Sequence, residues 1–182
     1  MLLEVLDEAL LHSVREALSE DIGSGDVTAS LVPADQIATA TVVSREPAVL
    51  CGMAWFNAVF AELDTAITVT WDTRDGDEIR PDQRLCTLRG PAAPLLTGER
   101  TALNFLQTLS GTATRARQYA NSVDGLPVRI LDTRKTIPGL RFEPITGQIL
   151  VIFIYTAPIQ AQFHHGAHVT IRNDDGSANK GL

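Results

Sequence analysis

The 182-residue sequence is poor in several residue types, and each scarcity excludes a class of function. Aromatic residues make up 5%, which gives no sign of a platform for stacking nucleic-acid bases. The net charge of −7 argues against a protein that binds a phosphate backbone. The longest unbroken apolar run, Ile149 to Tyr155, is far shorter than the ~20 residues of a membrane-spanning helix. We therefore expect neither a nucleic-acid partner nor a membrane partner.

Cysteine is also scarce, and the N-terminus lacks basic residues. Cys51 and Cys86 are far apart and have no metal-ligand spacing, so they are predicted to be buried or half-buried thiols in a reducing compartment. The first residues, Met1 to Glu4, lack the basic segment that opens a signal peptide. The expected localisation is the cytoplasm.

The charge that is present is unevenly distributed along the chain. Residues 1–94 carry six basic and sixteen acidic side chains, a net charge of −10. Residues 95–141 carry seven basic and three acidic side chains, a net charge of +4, and residues 142–182 have a net charge of −1. A positive segment in an acidic protein can concentrate anions at one site. Arg115 and Arg117 are better explained as part of a solvated helix face than as part of such a site.

Hydrophobic periodicity predicts helices and strands in irregular order up to about residue 110, which is typical of an α+β domain. A further helix and strand then open an α/β unit. Gly111 is expected to separate the last two helices, and Thr97 is a possible cap of the first of them. The predicted helices are 3–19, 53–63, 95–109 and 112 or 114 to about 123; the predicted strands are 38–43, 49–50, 67–71, 84–90 and 128–131.

Two adjacent cations, Arg134 and Lys135, follow the strand predicted at 128–131. Paired cations at a strand end are costly to bury unless an anion meets them. Arginine grips a carboxylate with a flat fork, and lysine acts as a compact point charge. The pair therefore indicates a pocket for a small polyanion.

The segment that contains this pair, LDTRKTIPGLR at 131–141, resembles the signature of the quinolinate phosphoribosyltransferase family. Three earlier segments resemble the same family in the right order. They are EDIGSGDVT at 20–28, REP at 45–47 leading to Gly52, and LTGERTALNFL at 96–106, which continues into LSGTAT at 109–114. The resemblance covers roughly residues 1–141 and stops at Phe142.

The resemblance implies the architecture and its domain limits. Residues 1–110 would form an N-terminal α/β sandwich that contributes to the substrate site and to dimerisation. Residues 111–141 would begin an α/β barrel, and residues 142–182 would be a tail unrelated to the family. The fold class expected is thus α+β, with a sandwich followed by the first unit of an incomplete barrel.

The resemblance also implies a reaction, a cofactor and partners. Members of the family join quinolinate to phosphoribosyl pyrophosphate, with Mg²⁺, and form nicotinate mononucleotide, pyrophosphate and CO₂ in de novo NAD biosynthesis. The partners expected are these two anionic small molecules and a second copy of the chain in a homodimer.

The site residues that the resemblance implies all bind substrate. Arg134 and Lys135 match the quinolinate-binding pair, and Thr133 lies beside them as a hydroxyl donor. Arg100 matches an arginine that reaches the substrate of the neighbouring subunit. The alternative for Arg100 is a helix-face partner of Glu99 without reach to a ligand. No catalytic residue is assigned.

Two other clusters are weighed against metal binding. Asp21, Asp26 and Thr28 form an acidic, hydroxyl-rich loop that suggests magnesium ligation, but Asp26 and Thr28 are better explained as residues that fix a turn. His165 and His168 could share a helical face and bind a metal, but Gly166 weakens a helix and the surroundings supply no further ligand. No metal site is predicted.

The residues after 128 are too few for the barrel that the family implies. An eight-fold barrel takes ~250 residues and one βαβ unit ~30. We expect a truncated chain, altered by a frameshift, a fusion or a misassigned end, that is inactive alone. One alternative is a non-catalytic remnant that dimerises and donates Arg100 to a complete partner. Another is a phosphoribosyltransferase-like protein of metal-transport operons, which the motifs favour less.

Overall fold

The computed structural model describes residues 2–23, 25–26, 29–33, 35–128, 130 and 167–173. Within this part of the chain, no helix is both long and apolar enough to cross a membrane. The predicted substrate residues Thr133 to Lys135 and the apolar run Ile149 to Tyr155 lie outside the described residues.

Helices and strands alternate irregularly along the described chain. The elements are helix α1 (Leu2–Ile22), a short 3-10 helix (Ala29–Leu31), β1 (Ile37–Ser44), β2 (Ala48–Val49), α2 (Met53–Leu63), β3 (Thr68–Trp71), β4 (Glu78–Ile79), β5 (Arg84–Pro91), α3 (Ala92–Ser122) and β6 (Ala167–Asn173). The described residues thus form a mixed helix and sheet domain without a closed barrel, which confirms the α+β prediction.

Four strands form an antiparallel sheet in the order β3-β5-β1-β6. Strand β1 buries alternate residues, Ala38, Ala40 and Val42, and leaves Thr39 and Thr41 half-buried on the other face. This is the period of two that a sheet covered on one side requires. Strands β2 and β4 form a separate two-stranded sheet.

The three helices share one hydrophobic core with the buried residues of β1 and β5. Each helix contributes apolar residues at helical spacing, the pattern of an amphipathic helix that covers a sheet. The buried side chains of this core include Val14 and Leu18 of α1, Phe56, Val59 and Phe60 of α2, Leu95, Ala102 and Leu106 of α3, and Leu85, Cys86 and Leu88 of β5.

Both cysteines are free thiols within the buried interior, as the sequence predicted. Burial raises the pKa of Cys51 to about 12, and a smaller effect of Asp75 acts in the same direction. Burial likewise raises the pKa of Cys86 to about 12, with Asp72 as the minor cause. Both therefore stay protonated at neutral pH and behave as small apolar side chains.

The prediction of a helix break at Gly111 is wrong, since α3 runs without interruption from Ala92 to Ser122. The side chains around the glycine are anchored to another part of the fold. Ser110 Oγ accepts a hydrogen bond from Cys51 N (2.9 Å) and donates one to Cys51 O (3.1 Å), and Thr114 Oγ1 accepts from Val49 N (2.8 Å). Glycine costs a helix about 1 kcal/mol relative to alanine, and these contacts offset that cost.

The sequence also mispredicted a helix cap and two strands. Thr97 does not cap a helix, because it lies inside α3. Strand β4 was missed because two residues show no periodicity. Val128 and Ile130 are not in a strand, and the remaining residues of the strand predicted at 128–131 lie outside the described part.

Strand β6 belongs to the tail in which no family resemblance was found, and the sequence did not predict it. It pairs antiparallel with β1 in continuous register from Ala38–Asn173 to Ser44–Ala167, so it covers an edge that β1 would otherwise expose. His168 lies in this strand, opposite Val43. His165 lies outside the described residues.

Candidate substrate-binding site

The end of α1 and the turn that follows it place two carboxylates against α3. Gly23 and Gly25 have backbone φ angles of +52° and +143°, which L residues with a side chain rarely adopt. They let the chain reverse immediately after α1, so that Asp21 and Asp26 both reach the N-terminal half of α3.

Asp26 fixes this turn at both ends. Its Oδ1 accepts a hydrogen bond from Ala29 N (3.0 Å), at the start of the 3-10 helix, and its Oδ2 accepts from Thr97 Oγ1 (2.8 Å). The sequence-based interpretation of Asp26 as a turn-fixing residue is therefore confirmed. Thr28 lies outside the described residues.

Asp21 holds two adjacent residues of α3. Its Oδ1 accepts a hydrogen bond from Arg100 Nη1 (3.0 Å), and its Oδ2 accepts from Thr101 Oγ1 (3.0 Å). The Asp21 side chain is 20% exposed, whereas the Arg100 side chain is 76% exposed. The arginine is thus tethered at one nitrogen while most of its surface meets solvent.

An exposed, tethered guanidinium can bind a further carboxylate. Arginine carries five N–H donors in a planar fork, and its contact with Asp21 is made through Nη1. The structure therefore places Arg100 where an anionic ligand can reach it. The alternative of a partner of Glu99 confined to the helix face does not describe its contact with Asp21, which lies 79 residues away in the sequence.

The other two arginines of α3 have surface roles, as the sequence analysis favoured. Arg115 is exposed and donates from Nη1 to Gln118 Oε1 (3.0 Å). Arg117 lies 3.6 Å from Glu78 Oε1 in an exposed ion pair. Exposed pairs of this kind contribute little to stability.

A cavity between the sheet and the helices is too small for a pyridine ring. Its volume is about 10 Å³, which is room for one water molecule at most. The residues that line it are Ala40, Phe56, Phe60, Leu88, Leu95, Glu99 and Leu103. Arg100 is not among these residues, so this cavity is not where a ring-sized ligand would meet it.

Among the described residues, no group of three or more His, Cys, Asp or Glu side chains is placed to hold a metal ion. The four carboxylate oxygens of Asp21 and Asp26 accept hydrogen bonds from donors in α3 and the 3-10 helix. This arrangement disfavours the magnesium interpretation of the loop.

Sequence reasoning missed the connection between Asp21, Arg100 and Thr101. It noted Asp21 and Arg100 separately, and no local pattern joins residues 79 positions apart. The signal available was an acidic residue at the carboxyl end of a helix, where a negative charge is unfavourable with the helix dipole.

Comparisons with known proteins agree with the resemblance seen in the sequence. The family model described as "Quinolinate phosphoribosyl transferase, N-terminal domain" matches residues 26–110. A Bacillus subtilis protein named a probable nicotinate-nucleotide pyrophosphorylase (carboxylating) is 39% identical over 122 residues, which are 67% of this chain and 42% of the relative. The mitochondrial quinolinate phosphoribosyltransferase (decarboxylating) 2b of Nicotiana tabacum is 39% identical over 134 residues, 72% of this chain and 38% of the relative.

A solved structure extends the agreement to the fold. The nicotinate-nucleotide pyrophosphorylase of Francisella tularensis superposes with a TM-score of 0.70 and 41% identity, over 73% of this chain and 48% of that one. The chain thus spans less than half the length of these relatives. Over residues 26–110, this chain contains the N-terminal domain of the quinolinate phosphoribosyltransferase family.

Proposed function

We propose that this chain binds quinolinate and contributes to its conversion, with phosphoribosyl pyrophosphate, into nicotinate mononucleotide, pyrophosphate and CO₂. The observation that supports this most directly is the exposed guanidinium of Arg100, held by Asp21 on the N-terminal half of α3. It lies within the segment that matches the family domain.

The chemistry requires several fixed cations. Quinolinate carries two carboxylates, and a bond between its ring nitrogen and ribose C1 forms through an oxocarbenium-like transition state. The protein contributes mainly by positioning and electrostatic stabilisation. Arg100 supplies one cation, and the sequence motif supplies Arg134 and Lys135, with the hydroxyl of Thr133 beside them. The same cations would stabilise the carbanion left when CO₂ departs.

Magnesium is implied by the family because phosphoribosyl pyrophosphate carries it into the site. Asp21 and Asp26 do not fit as its ligands, because their oxygens accept hydrogen bonds from Arg100, Thr101, Thr97 and Ala29. We therefore assign magnesium no ligand among the described residues and no step in the contribution of this chain.

The 182-residue polypeptide alone is expected to bind quinolinate without turning it over, because the ribose and phosphate residues of the family have no match after Arg141.

Replacing Arg134 and Lys135 by alanine should weaken quinolinate binding at least tenfold, since charged hydrogen bonds contribute about 1.5–3 kcal/mol each. NMR titration measures the binding, and release of CO₂ in the presence of phosphoribosyl pyrophosphate and Mg²⁺ measures turnover.

The matched control for this experiment is the double variant Arg115→Ala/Arg117→Ala, which removes two exposed positive charges elsewhere on the chain. Its affinity for quinolinate should stay within twofold of wild type. Equal weakening by this control would show that net charge alone attracts the ligand. Turnover by the polypeptide alone would contradict the proposed inactivity.

The second candidate function is donation of Arg100 to a complete partner, within a homodimer-like assembly. It is favoured by the 76% exposure of a side chain whose tether lies within its own chain. Mixing this polypeptide with the Bacillus subtilis relative, from which the corresponding arginine has been removed, should restore CO₂ release. The Arg100→Ala variant should fail to restore it. Equal rescue by both variants, or rescue by neither, would contradict donation of Arg100.

A further inference from the structure

We propose that Asp21 is the positioning residue for Arg100: its carboxylate fixes the direction in which the guanidinium meets a ligand carboxylate. This inference rests on the proposed function, because it takes Arg100 as a quinolinate-binding residue. It adds a residue to the site, on a different helix from the arginine itself.

Asp21 lies at an electrostatically unfavourable position in its helix, so a stabilising contact from elsewhere is expected. It lies in the last turn of α1, which ends at Ile22 and has no basic residue there. A negative charge at the carboxyl end of a helix is unfavourable with the helix dipole. The compensation comes from α3, whose Arg100 and Thr101 both donate to this carboxylate.

Thr101 makes the carboxylate a fixed acceptor. Thr101 is 3% exposed, and its hydroxyl donates to Asp21 Oδ2 at 3.0 Å. A buried hydroxyl needs a partner, so this bond defines the orientation of the carboxylate plane. The other oxygen, Oδ1, is then directed at Arg100 Nη1.

A second contact also joins the chain just after α1 to α3. Asp26 Oδ2 accepts from Thr97, which precedes Thr101 by one helical turn. The last turn of α1 and the loop after it are thus attached to α3 at two points on the same face. Arg100 is therefore held by a carboxylate that a second donor also fixes. The surface pair Arg15–Glu62 differs, because among the described hydrogen bonds the Glu62 carboxylate accepts only from Arg15.

Asp21 also places a negative charge near the ligand, and this effect opposes binding. The ligand carboxylate would contact the guanidinium directly, whereas Asp21 would act from beyond it, where solvent and salt screen the repulsion. An unrestrained arginine must lose rotamer freedom each time it binds. Positioning therefore outweighs repulsion, and removal of the Asp21 charge should weaken quinolinate binding.

The test uses the full 182-residue polypeptide and the variants Asp21→Asn, Thr101→Val, Arg100→Ala and Arg100→Ala/Asp21→Asn. Glu20→Gln is the matched control, since it removes an exposed carboxylate from the adjacent position of α1. Three quantities are measured for each variant: the Kd for quinolinate by NMR titration, the NMR order parameter of the Arg100 Nε–Hε group, and the urea midpoint of unfolding.

Asp21→Asn should lower the order parameter of Arg100 and raise the Kd by about three- to tenfold, the affinity equivalent of ordering one long side chain. Thr101→Val should act in the same direction with a smaller effect. Glu20→Gln should leave the order parameter unchanged and the Kd unchanged or slightly lower. In the Arg100→Ala background, Asp21→Asn should have no further effect on the Kd.

An unchanged order parameter in Asp21→Asn would overturn the inference, and so would equal weakening of binding with and without Arg100. If Asp21→Asn does not fold, Thr101→Val is subject to the same criteria. Absence of quinolinate binding by the wild-type polypeptide would refute the proposed function. The order parameter would then still decide whether Asp21 restrains Arg100, so the two failures are distinguishable.

Discussion

Replacing Phe56 by alanine is expected to lower the free energy of unfolding by about 3–5 kcal/mol. Phe56 is 1% exposed, and its ring makes edge-to-face contacts with Phe60 and Trp71, each at a centroid distance of 5.1 Å. It therefore joins α2 to the sheet through β3. The alanine would leave a cavity among rigid neighbours and would remove both aromatic contacts. Urea denaturation of the full chain measures the loss.

The control for this prediction is Phe105→Ala, which truncates the same residue type at a partly buried position on α3. Its loss of stability should be clearly smaller, because less apolar surface is returned to water. Equal losses for the two variants would show that the contacts of Phe56 with Phe60 and Trp71 are not special to the stability of the domain.

Replacing Gly98 by valine is expected to destabilise the domain by about 1–3 kcal/mol through overpacking. Gly98 is buried in α3. A Cβ atom there would lie 2.7 Å from Leu63 Cδ1 and 2.8 Å from Phe60 Cε1, both in α2. Loss of glycine from a helix interior is ordinarily favourable by up to about 1 kcal/mol, so helix propensity alone gives the opposite sign. The urea midpoint of unfolding shows which effect is larger: it falls if overpacking dominates and rises if helix propensity dominates.

The reason for the destabilisation can be isolated with a second substitution. Phe60→Leu removes ring atoms that a residue-98 side chain would meet, so Gly98→Ala should cost less in the Phe60→Leu background than in wild type. Additive effects of the two substitutions would contradict the proposed clash.

The elements of the fold that could be predicted are those with a local hydrophobic periodicity in the sequence. Leu6, Leu10, Val14 and Leu18 recur at helical spacing and predicted α1, and the apolar pattern of 53–63 gave the bounds of α2. The predicted helix break at Gly111 was wrong because the cost of a glycine to the helix can be read from the local sequence, whereas the contacts that offset this cost cannot. Ser110 and Thr114 bond to the backbone of residues 49–51, about 60 positions earlier.

The candidate site likewise has a part that the sequence predicted and a part that it did not. Motif similarity singled out Arg100 from eleven consecutive residues, and the family comparisons confirmed the resemblance. It said nothing about what holds Arg100. The roles of Thr133, Arg134 and Lys135 stay predictions, because these residues lie outside the described part of the chain.

The sequence by itself determined the family, the α+β class and most element positions, because these depend on residue order within windows of ten to twenty positions. Only the tertiary structure decided that α3 is one helix, that β6 covers the edge of β1, and that Asp21 holds Arg100. Each of these depends on a contact between residues far apart in the chain. Such a contact forms when burial of the shared core brings two elements together, and no local pattern of residues encodes it.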